Sequence, residues 1–157
     1  VSDDFPSTSA ATAALLTPIP NGKVLAALFG VNGIKGRVLE NSAGTLAVLD
    51  DPSDRALHAA AAIISNFAKD APLVALVRRD GQITAWRYLA GERGDTQAPG
   101  LILNEAPGVV STIMSGAQTI DDVAATHPDK VFDAHMGRFA AFRLLRASAK
   151  LAKRQRP

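Results

Sequence analysis

The tightest constraint in the sequence is a dipeptide, Asp80-Gly81, set in the middle of the run LVALVRRDGQITAWRYL at residues 73–89. Two stretches of β-forming residues separated by Asp-Gly specify a type I′ hairpin turn, because both central positions need φ > 0 and these two residues tolerate it. The turn sets the register. With Arg79 opposite Gln82, Val77 pairs with Thr84, Ala75 with Trp86 and Leu73 with Tyr88 on one side of the ribbon. That side is predicted to be core, with Trp86 substantially buried. The other side mixes Val74, Leu76, Ile83 and Ala85 with Arg78 and Arg87, a pattern for a surface half covered by a partner or by the chain's own tail.

A helix is predicted to lead into this hairpin. Asp51 offers an N-cap, Pro52 fits the first helical position and Asp54 places a carboxylate at the positive end of the dipole. Leu57, Ala60, Ala61, Ile64, Phe67 and Ala68 then recur at helical spacing and define a face to be buried. Ala59, Ala62, Ser65 and Asn66 make a second face of small residues, thin enough for another backbone to come close. Pro72 ends the segment.

Elsewhere the local signals are weaker. The first ten residues form a polar Ser/Thr-rich arm expected to fray, ATAALL suggests a short helix, and residues 17–22 (TPIPNG) break it. KVLAALF favours a helix, and IKGRVLE and TLAVLD read as two strands joined by Asn41-Ser42-Ala43-Gly44. Residues 90–100, with three Gly and a Pro among charges, have the composition of an exposed loop. Leu101-Ile102-Leu103 suggests a short strand and VVSTIMSGA a helix. Thr119 and Asp122 form a variant capping box for a short helix that stops at His127-Pro128, and a last helix is expected from Pro128 to about Arg154.

These elements predict an α+β domain: an antiparallel sheet of four to five strands, two hairpins around a central helix, with C-terminal helices. The organisation divides into an N-terminal arm and short helix (1–22), an α+β core (23–127) and a C-terminal helix, apolar then basic (128–157). In element order alone the chain is similar to small sensory and scaffold folds of the roadblock and PAS kind, where a helix joins two hairpins.

Composition narrows the chemistry. The 157 residues are 47% hydrophobic but only 5% aromatic, so the core is aliphatic and alanine-rich. With no cysteine, disulfides, thiolate metal sites and thiol nucleophiles are excluded together. No apolar run approaches the roughly 20 residues that span a bilayer, and the start is acidic instead of basic, so neither anchor nor signal peptide is expected and the setting reads as cytoplasmic.

No catalytic motif stands up. GVNGIKG lacks the spacing of a phosphate loop, since Lys35 precedes Gly36 and Arg37 follows it, and Gly30, Gly33 and Gly36 miss the dinucleotide fingerprint. Arg93-Gly94-Asp95 has no adhesive context. Ser111 and Ser115 lack the flanking glycines of a nucleophile elbow. Asp129 and Asp133 with His127 and His135 are the best candidates for metal or acid/base work. On a helix starting at Pro128, however, Asp133 and His135 would point about 160° apart. His58 reads as a structural, half-buried histidine. No catalytic, cofactor or metal residue is assigned, and no cofactor is expected.

The informative feature is charge distribution. All fifteen Asp and Glu lie at or before Asp133, where ten cations leave a net −5, while seven unopposed cations follow from Arg138 onward. Phe132, Met136, Phe139, Phe142 and Leu145 mark an apolar stripe, expected to dock on the body, that turns basic along its length. Arg143, Arg146, Lys150, Lys153, Arg154 and Arg156 are the residues expected to bind a partner. The pattern favours a non-enzymatic protein-interaction or regulatory module whose sheet and basic helix meet an acidic protein or a second copy. Nucleic-acid binding through the same helix is the second reading, opposed by the acidic body. A ligand-binding domain or enzyme with a pocket near loop 90–100 is the third.

Overall fold

The fold is that of a computed structural model, which describes residues 11–135 and 137–154, the side chains of 150–154 excepted. The expected N-terminal arm, Met136 and Arg156 therefore lie outside the described residues. In chain order the elements are β1 (Thr12–Thr17), α1 (Gly22–Val31), β2 (Gly36–Asn41), β3 (Gly44–Leu49), α2 (Asp54–Phe67), β4 (Leu73–Arg79), β5 (Gln82–Leu89), β6 (Glu92–Gln97), α3 (Pro99–Glu105), α4 (Gly108–Met114), α5 (Ile120–Thr126), β7 (Val131–Asp133) and α6 (Arg138–Arg154). The strands form one antiparallel sheet in the order β6-β5-β4-β1-β3-β2-β7. The chain is α+β, as expected, but its seven strands exceed the predicted four to five.

The hairpin that anchored the sequence reading has the predicted register, Arg79 with Gln82 through Leu73 with Tyr88. Asp80 and Gly81 take φ +55° and +77°, both left-handed as a type I′ turn demands. Leu73, Ala75, Val77 and Tyr88 are buried on one face. Trp86 is only half-buried, packed against the core's rim beside β6.

Two added strands come from segments read otherwise. ATAALL is not a helix but the central strand β1, in which Ala13, Ala14 and Leu15 are fully buried. A strand covered on both faces has no polar alternation, and an alanine- and leucine-rich run of that kind is indistinguishable from a buried helix by periodicity. Residues 90–100 are not a loop. Ala90-Gly91, at φ +50° and +86°, makes a second tight turn and returns the chain as β6 on the sheet's edge. Its sequence, ERGDTQ, is polar because an edge strand faces water, and that composition imitates a loop.

The third added strand displaces the start of the last helix. Val131 and Phe132 pair with Leu39 and Val38 of β2, so residues from Pro128 are turn and strand, and α6 begins only at Arg138, after Gly137. Leu101-Ile102-Leu103 is likewise corrected from strand to helix, within α3, whose first residue is Pro99. Short apolar runs of three do not distinguish the two.

Helix α2 is capped two residues later than expected, by Ser53 instead of Asp51. Ser53 Oγ accepts the Ala56 N–H at 3.2 Å, while Asp51 accepts the Ser53 N–H at 3.0 Å and shapes the approach. Leu57, Ala60, Ala61 and Ile64 are buried as predicted, but Phe67, in the last turn, is 59% exposed. The small face does admit a backbone: Ser65 Oγ accepts the Gly91 N–H at 2.9 Å, bringing the β5–β6 turn against the helix.

The core has two layers. Leu25, Phe29, Leu57 and Ile64 from α1 and α2 cover one face of the sheet. The other face, expected to be half covered, is closed by α3, α4 and α5, through Ile102, Val110, Ile113, Met114 and Val123. Arg78 on that face reaches the Ser115 carbonyl at 3.3 Å and Thr12 Oγ1 at 3.4 Å, and Arg37 pairs with Asp121 of α5. The Thr119–Asp122 capping box of α5 is formed in both directions. Between β1 and β3 the hydroxyls of Thr17 and Thr45 meet at 2.6 Å in the buried interior. Helix α2 joins two hairpins in the expected element order, but β1 runs between them in the sheet.

Candidate functional site

The end of the molecule formed by α1 and α6 carries a concavity lined mostly by apolar side chains. Helix α1 starts at a firm cap, with Asn21 Oδ1 accepting the N–H groups of Lys23 and Val24 at 2.9 and 3.2 Å. Glu40 of β2 takes the Gly22 N–H at 2.7 Å. With those donors satisfied, α1 lays Leu25, Ala26 and Phe29 on the sheet and turns Val24, Leu28 and Val31 toward α6.

Helix α6 meets α1 along a seam of small and medium residues. Ala141 is fully buried, and Leu144, Leu145 and Ser148 are half-buried. This is not the stripe expected from the sequence. Because residues 131–133 are spent on β7, the helix starts later and in another phase, and Phe139 and Phe142 stand 81% and 57% exposed. Phe132 is a strand residue packed against the core's rim. The predicted docking of Phe139 and Phe142 is thus overturned: the seam uses Ala141 and Leu145, whose smaller footprint lets two helix backbones approach.

A groove of about 640 Å³ results, lined chiefly by Val24, Leu28, Val31, Phe67, Phe142 and Leu145. Its polar lining is slight: Asn32, Ser148 and the rim residue Arg146. Arg143 and Arg146 are exposed, and the four-residue steps from Phe139 to Arg143 and from Phe142 to Arg146 put aromatic and cation on neighbouring positions of one helix surface. Lys150, Lys153 and Arg154 belong to the same helix, and Arg156 lies outside the described residues. No acid occurs anywhere in α6.

Of the cluster His127, Asp129, Asp133 and His135 weighed from the sequence, the fold brings Asp133 and His135 together, with Asp50 as the third member. Asp133 ends β7 and His135 follows in irregular chain, so the helical separation argued for them does not apply. His135 Nδ1 meets the Asp133 carboxylate, and Nε2 lies 2.5 Å from Asp50 Oδ2 at the end of β3. Hydrogen bonding to Asp50, then to Asp133, raises the His135 pKa above its ordinary value. Burial pushes Asp133 up, but the hydrogen bonds from the His135 backbone and ring outweigh it and hold the carboxyl low. Both imidazole nitrogens are engaged by carboxylates, leaving no lone pair or free N–H to serve a substrate or metal. The cluster ties the β3–α2 connection to the β7–α6 junction. An adjoining cleft of about 510 Å³ runs between Gly33-Ile34-Lys35, Asp50-Asp51 and the alanines of α2.

The remaining candidates disperse. His127 bonds to its neighbour Thr126 at 3.0 Å, remote in role from Asp133 and His135. His58 is half-buried against Tyr88 and Trp86, as a structural histidine. Near the supposed loop 90–100 there is a concavity of about 480 Å³ on the β5–β6 ribbon, lined by Arg87, Glu92, Arg93 and Asp95 among others. The groove at α6 was missed because its walls come from three helices far apart in sequence. The one legible signal was the acid-free basic segment.

Among the described residues no helix is long and apolar enough to cross a membrane. No family model matches the chain, and neither the curated proteins nor the solved structures compared with it give a match.

Proposed function

We propose that the chain is a protein-interaction module that presents the exposed side of α6 to an acidic partner. One observation carries the reading: Phe67, Phe139 and Phe142 stay largely exposed on the same end of the molecule as Arg143 and Arg146. Each such aromatic ring covered by a partner is worth about 1.5–3 kcal/mol, and aromatics with arginine are the residues that dominate protein interfaces. The acidic balance of the rest of the chain steers an acidic partner toward this end and away from the others.

A phosphate polymer would satisfy the cations of α6 but offers nothing to fill an apolar groove, which disfavours the nucleic-acid reading. Retention on immobilised polyglutamate is the test, with double-stranded DNA as the comparison. The intact chain is expected to bind polyglutamate at about 0.05 M salt and to release by about 0.5 M. Arg143→Glu with Arg146→Glu should abolish retention. Retention unchanged by that pair, or DNA bound in preference, overturns the reading.

A further inference from the structure

We infer that the groove between α1, α6 and the end of α2 receives an amphipathic helix from an acidic protein partner, apolar side downward and carboxylates over Arg143 and Arg146. The inference rests on the proposed function and specifies the form the partner takes. Its first support is the nature of the walls. All three are helices, whose backbone groups are bonded within themselves except for the last carbonyls of α1 and α2, and the side-chain polar lining amounts to Asn32, Ser148 and Arg146. A segment lying there finds almost no backbone partners, so an extended peptide would leave its own N–H and C=O groups unpaired. A helix satisfies its backbone internally and brings only side chains, which is how helix-in-groove recognition works. Sheet edges serve extended peptides, and the two edge strands of this sheet, β6 and β7, contribute no residue to the groove.

Length is consistent. The ten residues of α1 span about 15 Å, enough to seat apolar residues at i, i+3 or i+4, and i+7 of a visiting helix. Charge then selects among visitors. With no acid in α6, a basic or neutral helix gains nothing from the rim, whereas glutamates flanking the apolar side meet Arg143 and Arg146. A second copy of this chain does not supply such a helix from its described residues. Helix α5 has Asp121 and Asp122, but its Ile120 and Val123 are committed to the sheet and Asp121 to Arg37. A membrane surface is a poorer match, because Phe67 and Phe142 line a concavity, and a flat bilayer contacts what protrudes.

The experiment titrates the intact protein into a fluorescein-labelled peptide of about 15 residues, with leucines on one helical face and glutamates elsewhere, followed by anisotropy. A second peptide of identical composition scatters the leucines around the helix, and a third replaces glutamate by lysine. The expected result is saturable binding of the first peptide alone, weakened about tenfold or more by Phe67→Ser with Phe142→Ser. Both positions are exposed, so the variant keeps its fold, which circular dichroism checks. Equal binding of the scattered peptide, or of the double variant, overturns the groove. If polyglutamate is still retained in that case, the acidic-partner reading stands without it. If neither peptide nor polyglutamate binds, both fall. Binding to phosphatidylcholine vesicles containing phosphatidylserine that depends on Phe139 and not on Phe67 would assign the surface to lipid and also overturn the inference.

Discussion

The phenol oxygen of Tyr88 lies 2.5 Å from Nδ1 of His58, and the same imidazole meets the Trp86 indole edge-on with centroids 4.7 Å apart. This hydrogen bond fastens the seam where α2 crosses β5. Tyr88→Phe keeps the ring's packing and removes the oxygen, leaving a half-buried imidazole nitrogen without its partner. The expected cost is about 1 kcal/mol, at the lower end for a lost partner because His58 retains some water. Urea unfolding followed through Trp86 should show a lower midpoint with an unchanged slope.

Two histidines should tilt the pH dependence of stability in opposite directions. Burial, helped by the Arg93 charge and opposed by Asp54, lowers the His58 pKa. The unfolded chain therefore takes up this proton first, and stability is lost as pH falls through about 6.5 toward the lowered folded value. His135 is raised by Asp50 and Asp133. Its contribution is full below about 6.5 and is lost as pH rises through the folded pKa. Between about pH 5.5 and 8 the His135→Gln variant should gain in Tm with pH, and His58→Asn should lose. Parallel profiles for the two variants would contradict both assignments.

Phe139→Ala should change stability by less than about 0.5 kcal/mol, as befits a surface position, since the ring is 81% exposed. Phe29→Ala, in a side chain with no exposure at all, should cost about 3–5 kcal/mol. The comparison, by chemical denaturation, reverses the expectation from periodicity that Phe139 is a docking residue.

Ala90 occupies a left-handed conformation, φ +50°, in the β5–β6 turn. Such a conformation costs an alanine roughly 1 kcal/mol relative to glycine, and the residue is exposed with nothing to lose in packing. Ala90→Gly should raise stability by about 0.5–1 kcal/mol. An unchanged or lower Tm would mean that the turn relaxes differently.

The Thr17 and Thr45 hydroxyls meet 2.6 Å apart inside the sheet, and Thr17 Oγ1 also accepts the Ile19 N–H at 3.3 Å. Thr45→Val strands the Thr17 O–H, and Thr17→Val strands the Thr45 hydroxyl together with the Ile19 N–H, at a cost of about 1–3 kcal/mol for each group, whereas the double substitution leaves only the Ile19 N–H unpaired. A double-mutant cycle should show the pair costing clearly less than the two singles together. Additive losses would show that the two hydroxyls do not depend on each other.

What the sequence made legible follows from where the information is local. Asp80-Gly81 dictates its own φ angles, so the hairpin register was readable to the residue. The Thr119–Asp122 box and the buried face from Leu57 to Ile64 are local in the same sense. Ala13 to Leu16 could not be read as a strand, because only the cover supplied by helices on both sheet faces distinguishes that run from a helix. Asp133 and His135 were set apart by a helix that β7 pre-empts, and Asp50, their third member, is more than eighty residues away. The basic character of α6 was plain from composition. Its apolar companion groove needed Val24, Phe67 and Phe142 together, and no spacing in the chain relates them.

Strand β1 holds the sheet's centre, yet both of its neighbours, β3 and β4, follow it in the chain, β4 by about sixty residues. The hairpins on either side can close through local contacts, but joining them requires a strand whose pairing edges both wait on distant sequence. Contacts of that range slow folding. Without β1 the sheet divides into two halves, β2–β3 and β4–β6, each with an open edge that β1 covers in the fold. Open strand edges pair with other chains, so at high concentration during refolding a competitor for that place is β1 of a neighbouring molecule. Exchange of the first strand between chains is the misassembly to which this topology is exposed.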